Sequence, residues 1–210
     1  MDFSMAKPQF IYFDMGNVIL LFDHQLACDQ IGQVAGISGA QVREIVFESE
    51  LQNQYETGQI TSREFYDSFC EMTNTAADYD QLLVAASDIF SLNTPVIPLL
   101  AALRDAGIAI GILSNTCAAH WQYARRRFSI LDQYFAPLAL SFELKSMKPD
   151  AAIYHSAAEL AGVPIGDIFF TDDREDNIQA ARQAGMVAEQ FTTANALATT
   201  LRELGLRFNF

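Results

Sequence analysis

Residues 10–17 read FIYFDMGN: four apolar or aromatic residues, Phe10 to Phe13, then a lone acid, Asp14, and Gly16 two places on. A short run that is apolar throughout, with no alternation, is what a strand covered on both faces requires. Here such a strand delivers its chain to a bare carboxylate. Four further runs share the character, at 108–113, 138–141, 168–171 and 187–191. Between the later ones lie helical patterns at 95–106, 117–128, 150–160 and 175–184, three of them followed by Gly107, Gly162 and Gly185. Glycine just past a helix and a strand soon after predict an α/β fold with a parallel sheet.

The stretch 25–93 breaks the rhythm, with no convincing strand but several helices. Ser38 is placed to cap a helix through Val42, Ile45 and Val46, and Thr61 to Glu64 form a capping box ahead of Phe65 and Phe69. Residues 82–89 continue the helical pattern. A block this long between the first and second strands reads as an insertion. The expected organisation is a core of residues 1–23 and 94–210 carrying a helical module of residues 24–93. Phe47, Phe65, Tyr66 and Phe69, at helical spacing, are the expected core of that module.

Composition narrows the function. Half the residues are hydrophobic and 19% are charged, as in a globular protein. Acidic residues outnumber basic ones 26 to 13, a formal charge of −13, which repels phosphate backbones and anionic lipid. Neither a nucleic-acid nor a membrane partner is expected. Arg125, Arg126 and Arg127 read as a solvated helix end. The N-terminus has neither a long apolar stretch nor a small-residue cleavage site, and no run reaches the length of a membrane span. Cys28, Cys70 and Cys117 are too widely spaced for a disulfide framework or a metal knuckle. A cytoplasmic protein with reduced thiols is expected, either a monomer or a homodimer.

Ligands of a parallel α/β sheet bind outside the carboxyl ends of its strands. After the first strand comes Asp14; after the second, Ser114, Asn115 and Thr116; after the third, Lys145 and Lys148; after the fourth, Asp172 and Asp173, with Asp176 and Asn177 beyond. Three carboxylates at one rim repel one another unless a hard cation lies among them, and oxygen ligands with open positions suit Mg²⁺. A cation and a lysine offer charge to a phosphate, whose other oxygens a hydroxyl and backbone N–H groups can hold. A carboxylate beside the metal can then attack phosphorus and form an aspartyl phosphate.

In that order, FDMGN, ILSNT, the lysine of MKPD and FFTDDREDN resemble the four motifs of the haloacid dehalogenase-like (HAD) hydrolases. The likeness runs over essentially the whole chain, and YETGQITSREFY is similar to a recurring cap helix–turn–helix. It implies a Rossmann-like parallel sheet core (five strands with flanking helices) with an inserted α-helical cap. By the resemblance Asp14 is the nucleophile, Ser114 and Asn115 hold the phosphoryl group, and Lys148 stabilises both. Asp173 is a Mg²⁺ ligand, as is Gly16 through its backbone carbonyl; Asp172 is a second carboxylate ligand or acts through water. The acid pair is similar to that of the magnesium-dependent members, whereas haloacid dehalogenases proper need no metal, so dehalogenation of a 2-haloacid is the disfavoured rival. A small phosphorylated metabolite is the implied substrate.

One position departs from the family pattern. Most of its phosphatases carry an aspartate where this chain has Gly16, and that aspartate protonates the leaving group and then activates water. Three readings follow. The first is a substrate with an acidic leaving group, as a sugar 1-phosphate has, in line with the DxGN pattern of α-glucose-1-phosphatase-like members. The second is that Asp23 or His24 substitutes. The third is that catalysis is lost, leaving a module that binds a phosphorylated ligand or a protein. Gln54, Tyr55 and Glu56, near the turn at Gly58, are the candidates for substrate contacts, although Tyr55 reads equally well as packing between helices. A phosphoacceptor receiver domain would carry its acid pair after the first strand, and DMGNVIL lacks the glycine pattern of a dinucleotide site.

Overall fold

The computed structural model of the chain describes residues 7–210; residues 1–6, most of the segment read for a leader, lie outside the described residues. The strands are β1 (Phe10–Phe13), β2 (Leu20–Phe22), β3 (Phe90–Leu92), β4 (Ala109–Ser114), β5 (Leu138–Leu140), β6 (Ile168–Asp172) and β7 (Val187–Gln190). Helices α1 (His24–Ala35), α2 (Gly39–Phe47), α3 (Leu51–Glu56), α4 (Ser62–Thr73) and α5 (Tyr79–Ser87) lie between β2 and β3. The rest are α6 (Ile97–Asp105), α7 (Ala118–Arg127), α8 (Ile130–Tyr134), α9 (Ser141–Leu144), α10 (Ala151–Ala161), α11 (Glu175–Ala184) and α12 (Ala194–Glu203).

Five strands form one parallel sheet in the order β5-β4-β1-β6-β7. The apolar run of β1 is explained by its place at the centre, with every side chain buried. Its residues alternate between two cores, as strand geometry demands. Ile11 and Phe13 pack with Leu99, Leu100 and Leu103 of α6 and Leu197 and Leu201 of α12. Phe10 and Tyr12 pack on the other face with Ile153 and Ala157 of α10 and Ile178 and Ala181 of α11. The molecule is thus a three-layer α/β sandwich of Rossmann type, and its predicted strands appear within about two residues of the expected bounds. The central strand ends at Asp14 between the ends of β4 and β6, so the loops that follow these three strands are neighbours.

The insertion has a core of its own, in which Cys28, Ile31, Val42, Val46, Tyr55, Phe65, Phe69 and Leu82 are buried together. Phe47 and Tyr66 pack against it from partly buried positions. Both expected helix starts are present: Ser38 and Gln41 cap α2 reciprocally, as Thr61 and Glu64 cap α4. One expectation is corrected. The helical pattern of residues 82–89 stops at Ser87, and Phe90–Leu92 pairs antiparallel with Leu20–Phe22. This two-stranded ribbon brackets the insertion, and β3 falls inside the stretch 24–93 that the sequence marks as purely helical. Three residues are too few to show a period, and the partner that makes them a strand is remote in sequence.

No helix among the described residues is long and apolar enough to cross a membrane, and all three cysteines are free.

Candidate active site

The strand ends converge as expected. Asp14, Asn17, Ser114, Asn115, Lys148 and Asp173 line a cavity of about 530 Å³ between the sheet and the insertion. At its floor Lys148 Nζ donates to Asp172 Oδ2 at 2.5 Å, to Asp14 Oδ1 at 2.9 Å and to the Leu113 carbonyl at 3.1 Å. All three ammonium protons are therefore used. Burial opposes the lysine's charge, but the two carboxylates outweigh it and hold the pKa above the ordinary value. Burial pushes Asp14 up to about 6; Asp172 adds to the rise, while the Lys148 ammonium and the Met15 N–H, 2.7 Å from Oδ1, pull it back.

The acid pair after β6 divides by environment. Asp172 is fully buried, and both of its oxygens are engaged: Oδ1 by the Arg174 N–H at 2.8 Å, Oδ2 by Lys148 and by Asn177 Nδ2 at 3.0 Å. Of the two roles the resemblance implies for Asp172, direct ligand or action through water, these bonds favour the second, although its carboxylate lies within reach of the same cluster. Asp173, one residue on, faces the cavity half-buried, with Oδ2 accepting from Asn17 Nδ2 at 3.1 Å.

Carboxylate oxygens of Asp14, Asp172 and Asp173 lie within 4.8 Å of one another. A cluster this tight fits a hard cation. Asp14 Oδ2 and Asp173 Oδ1 make no hydrogen bond among the described residues, and Gly16, with a backbone carbonyl to offer, lines the same cavity. The donor set is all oxygen, as Mg²⁺ prefers.

Ser114 is buried at the cavity wall, and its hydroxyl has only a long 3.3 Å contact to the Asn115 carbonyl, which leaves it available to a ligand. Asn115 lines the cavity, but its side chain donates to the Lys148 carbonyl at 2.9 Å and accepts from the Lys148 N–H at 2.8 Å, so its side-chain amide holds the lysine's backbone and its backbone N–H is the group left for a phosphate. Lys145 is exposed and reaches away to the Gly58 carbonyl at 2.5 Å, leaving Lys148 as the ammonium of the site.

Opposite the floor, the insertion contributes Asn53 and Glu56 to the wall, together with His120 from α7. Gln54 is exposed and does not line the cavity, and Tyr55 is buried beneath it, stacked on Phe65 at 4.8 Å. The Tyr55 hydroxyl lies 2.6 Å from Ser62 Oγ and accepts from the Ala119 N–H at 3.2 Å, so it ties the insertion to α7 and contacts no substrate space. Both residues are corrected as substrate contacts. Asp23 caps α1, its carboxylate accepting from the Gln25 and Leu26 N–H groups, and is thereby removed as a proton donor. His24 does reach the cavity edge, its ring between Phe22 and Phe47 at centroid distances of 4.8 and 4.6 Å.

At Gly16 a Cβ would come 2.7 Å from Phe22 Cε1, so the partly buried Phe22 ring would have to shift to admit a side chain. His120 is the residue sequence reasoning missed; a lone histidine on the first turn of the helix after ILSNT was the available signal.

A model of the haloacid dehalogenase-like hydrolases matches residues 9–185. The sesquiterpene phosphatase astK of Aspergillus oryzae is 23% identical over 201 residues, 91% of this chain and 94% of that one. Among solved structures, the HAD family enzyme bt-2542 of Bacteroides thetaiotaomicron, in complex with magnesium and inorganic phosphate, matches at a TM-score of 0.79 and 25% identity, over 89% of this chain and 95% of that one. A Porphyromonas gingivalis protein described as a predicted HAD-like family hydrolase shares the fold at a TM-score of 0.82 and 20% identity, over 94% of this chain and 99% of that one. With the family model covering the core and the insertion alike, the chain belongs to the haloacid dehalogenase-like hydrolases.

Proposed function

We propose that the protein is a Mg²⁺-dependent phosphatase that acts on a small phosphorylated metabolite through an aspartyl phosphate at Asp14. The observation that carries this reading is Asp14 at the cavity floor, its Oδ1 held 2.9 Å from Lys148 Nζ and its Oδ2 without a protein partner. Asp14, the Gly16 carbonyl and Asp173 would hold the cation, which supplies charge stabilisation to the phosphoryl oxygens when bound. The chain's own groups do the rest. Lys148 neutralises the nucleophile and the incoming phosphate, and Asp172, Asn177 and Asn115 fix Lys148. Ser114 Oγ is placed to donate to a phosphoryl oxygen. The helical insertion would act as a cap that closes the cavity, with residues 24–93 as the cap and 1–23 with 94–210 as the core.

The cavity lining has an apolar part, Met15, Phe22, Ile89, Phe90 and Met147, beside the polar Asn53, Glu56 and His120. The apolar part, together with the sesquiterpene phosphatase relative, supports the phosphate ester of a hydrophobic alcohol ahead of a sugar 1-phosphate. Asp172 and Asp173 argue against dehalogenation.

The test is a panel of phosphomonoesters (isoprenoid, sugar 1-phosphate, simple alkyl and aryl) and a 2-haloacid, each with and without Mg²⁺, on the wild type and Asp14→Asn. Turnover that needs Mg²⁺ and falls on the order of 10⁴-fold or more in Asp14→Asn is expected. Turnover without metal, or surviving in Asp14→Asn, refutes the mechanism. Binding of phosphate esters with no turnover would favour a non-catalytic binding module.

A further inference from the structure

A phosphatase working on an alcohol leaving group needs a proton donor, and the usual position here holds Gly16, with the Phe22 ring packed over it. The floor offers no other donor: Lys148 spends its three protons on Asp14, Asp172 and Leu113. The roof does. Glu56 ends α3, and its side chain lines the same cavity as Asp14.

Three ties hold this turn against the strand ends. Ser141 Oγ lies 2.6 Å from the Glu56 carbonyl while accepting from the Thr116 N–H at 2.9 Å, two residues beyond Ser114. Lys145 Nζ donates to the Gly58 carbonyl at 2.5 Å. Gly58 itself has φ +63°, and a Cβ there would come 2.1 Å from the Phe142 carbonyl oxygen. Backbone lies on backbone at this contact, so Glu56 is carried by an anchored turn and not by a free loop.

The carboxyl is half-committed. Oε1 accepts from Gln52 Nε2 at 2.6 Å, and Oε2 makes no hydrogen bond among the described residues. Resting on the phosphatase reading, we propose that Glu56 is the general acid and base of the reaction, supplied from the insertion in place of the acid absent at position 16. In the first step an Asp14 carboxylate oxygen bonds to phosphorus, the ester P–O bond breaks, and the Glu56 proton passes to the leaving oxygen. In the second step water bonds to phosphorus, its proton returns to Glu56, and the acyl–phosphate bond breaks to release Asp14. Glu56 ends as it began.

The surroundings strengthen the carboxyl's hold on a proton. Burial pushes its pKa up, against Gln52, His120 from α7 and Lys148 from the floor, which pull it down. His120 Nε2 lies 3.1 Å from the Ala86 carbonyl, which can only accept, so Nε2 carries the hydrogen of the neutral ring. Burial keeps that ring below its ordinary pKa, with Glu56 pulling the other way.

The experiment is kcat/KM of wild type and Glu56→Gln on phosphomonoesters of graded leaving-group pKa, with Mg²⁺ present. Glutamine keeps the Gln52 contact and the shape but carries no transferable proton. A loss of about 10²-fold on alkyl phosphates, shrinking to less than tenfold on 4-nitrophenyl phosphate, is expected. Equal losses across the series, or none, overturn the assignment, because a merely structural role would not follow leaving-group acidity. Gln54→Ala, on the exposed side of the same helix, is the control that should match wild type. Thermal melting separates misfolding from lost chemistry. Should Glu56→Gln unfold, Glu56→Ala with added formate replaces it: restored alkyl-phosphate turnover supports the assignment, and none in a folded variant contradicts it. A wild type inactive on the whole series would instead refute the phosphatase reading, a result distinct from failure of Glu56 alone.

Discussion

The floor and the roof of the cavity differ in how fully their polar groups are satisfied. On the floor, Lys148, Asp14, Asp172, Asn177 and Asn115 bond to one another in a network that satisfies Lys148 and Asp172 and leaves Asp14 Oδ2 open to the cavity, built by the ends of β1, β4 and β6 and the loop before α10. On the roof, Glu56 has one oxygen without a protein hydrogen bond, and His120 presents Nδ1 without one. A network whose partners are all within the fold is preorganised and does not need to rearrange when charge arrives. Groups with spare capacity are where substrate and proton traffic must be met. On the proposed reading, phosphoryl chemistry is set at the strand ends, and leaving-group chemistry is set at the roof by Glu56.

The sharpest way to break that comparison is to exchange the two carboxylates after β6. Asp172→Asn leaves Lys148 with one counter-charge in a buried site and should cost about 3–5 kcal/mol in denaturant unfolding, with turnover lost as the lysine shifts. Asp173→Asn removes a half-buried carboxylate whose one hydrogen bond is to Asn17, so stability should move by less than about 1 kcal/mol. Its effect should appear as a rise in the Mg²⁺ concentration needed for turnover. If Asp173→Asn keeps the wild-type response to Mg²⁺ while Asp172→Asn loses it, the division of roles is reversed.

A smaller effect tests the contact between the two regions. Gly58→Ala forces a side chain into a left-handed conformation against the Phe142 carbonyl, and should cost about 1–3 kcal/mol of stability. Because the floor is untouched, Mg²⁺ dependence should persist while the rates on bulky and small esters change by different factors. Unchanged stability would mean that the roof is not held against the core at this turn.

Much of this was legible in the sequence, for reasons specific to each part. The strand ends could be read because central parallel strands are apolar throughout, so a carboxylate after FIYF or FFT stands out. The different fates of Asp172 and Asp173 could not: successive strand residues point to opposite sides, and only the position of Lys148 decides which side is inside. That the Asn115 side chain braces Lys148 could not be read, because its partner, the Lys148 backbone, is far away in sequence. In α3 the period held the answer. Leu51 and Tyr55, four apart, form the buried stripe, while Asn53 and Glu56, three apart, share the cavity face. Gln54 lies on neither. Strand β3 was invisible because three residues carry no period, and the ribbon depends on its partner.

The central claim is that phosphoryl transfer passes through Asp14. It is tested most directly by acid-quenching the wild-type protein during turnover of a phosphomonoester with Mg²⁺ and mapping the phosphorylated peptide by mass spectrometry. The account predicts one phosphoryl group on the peptide carrying Asp14, absent without Mg²⁺ and absent in Asp14→Asn. A phosphoryl group on another residue, or continued turnover by Asp14→Asn, would contradict it.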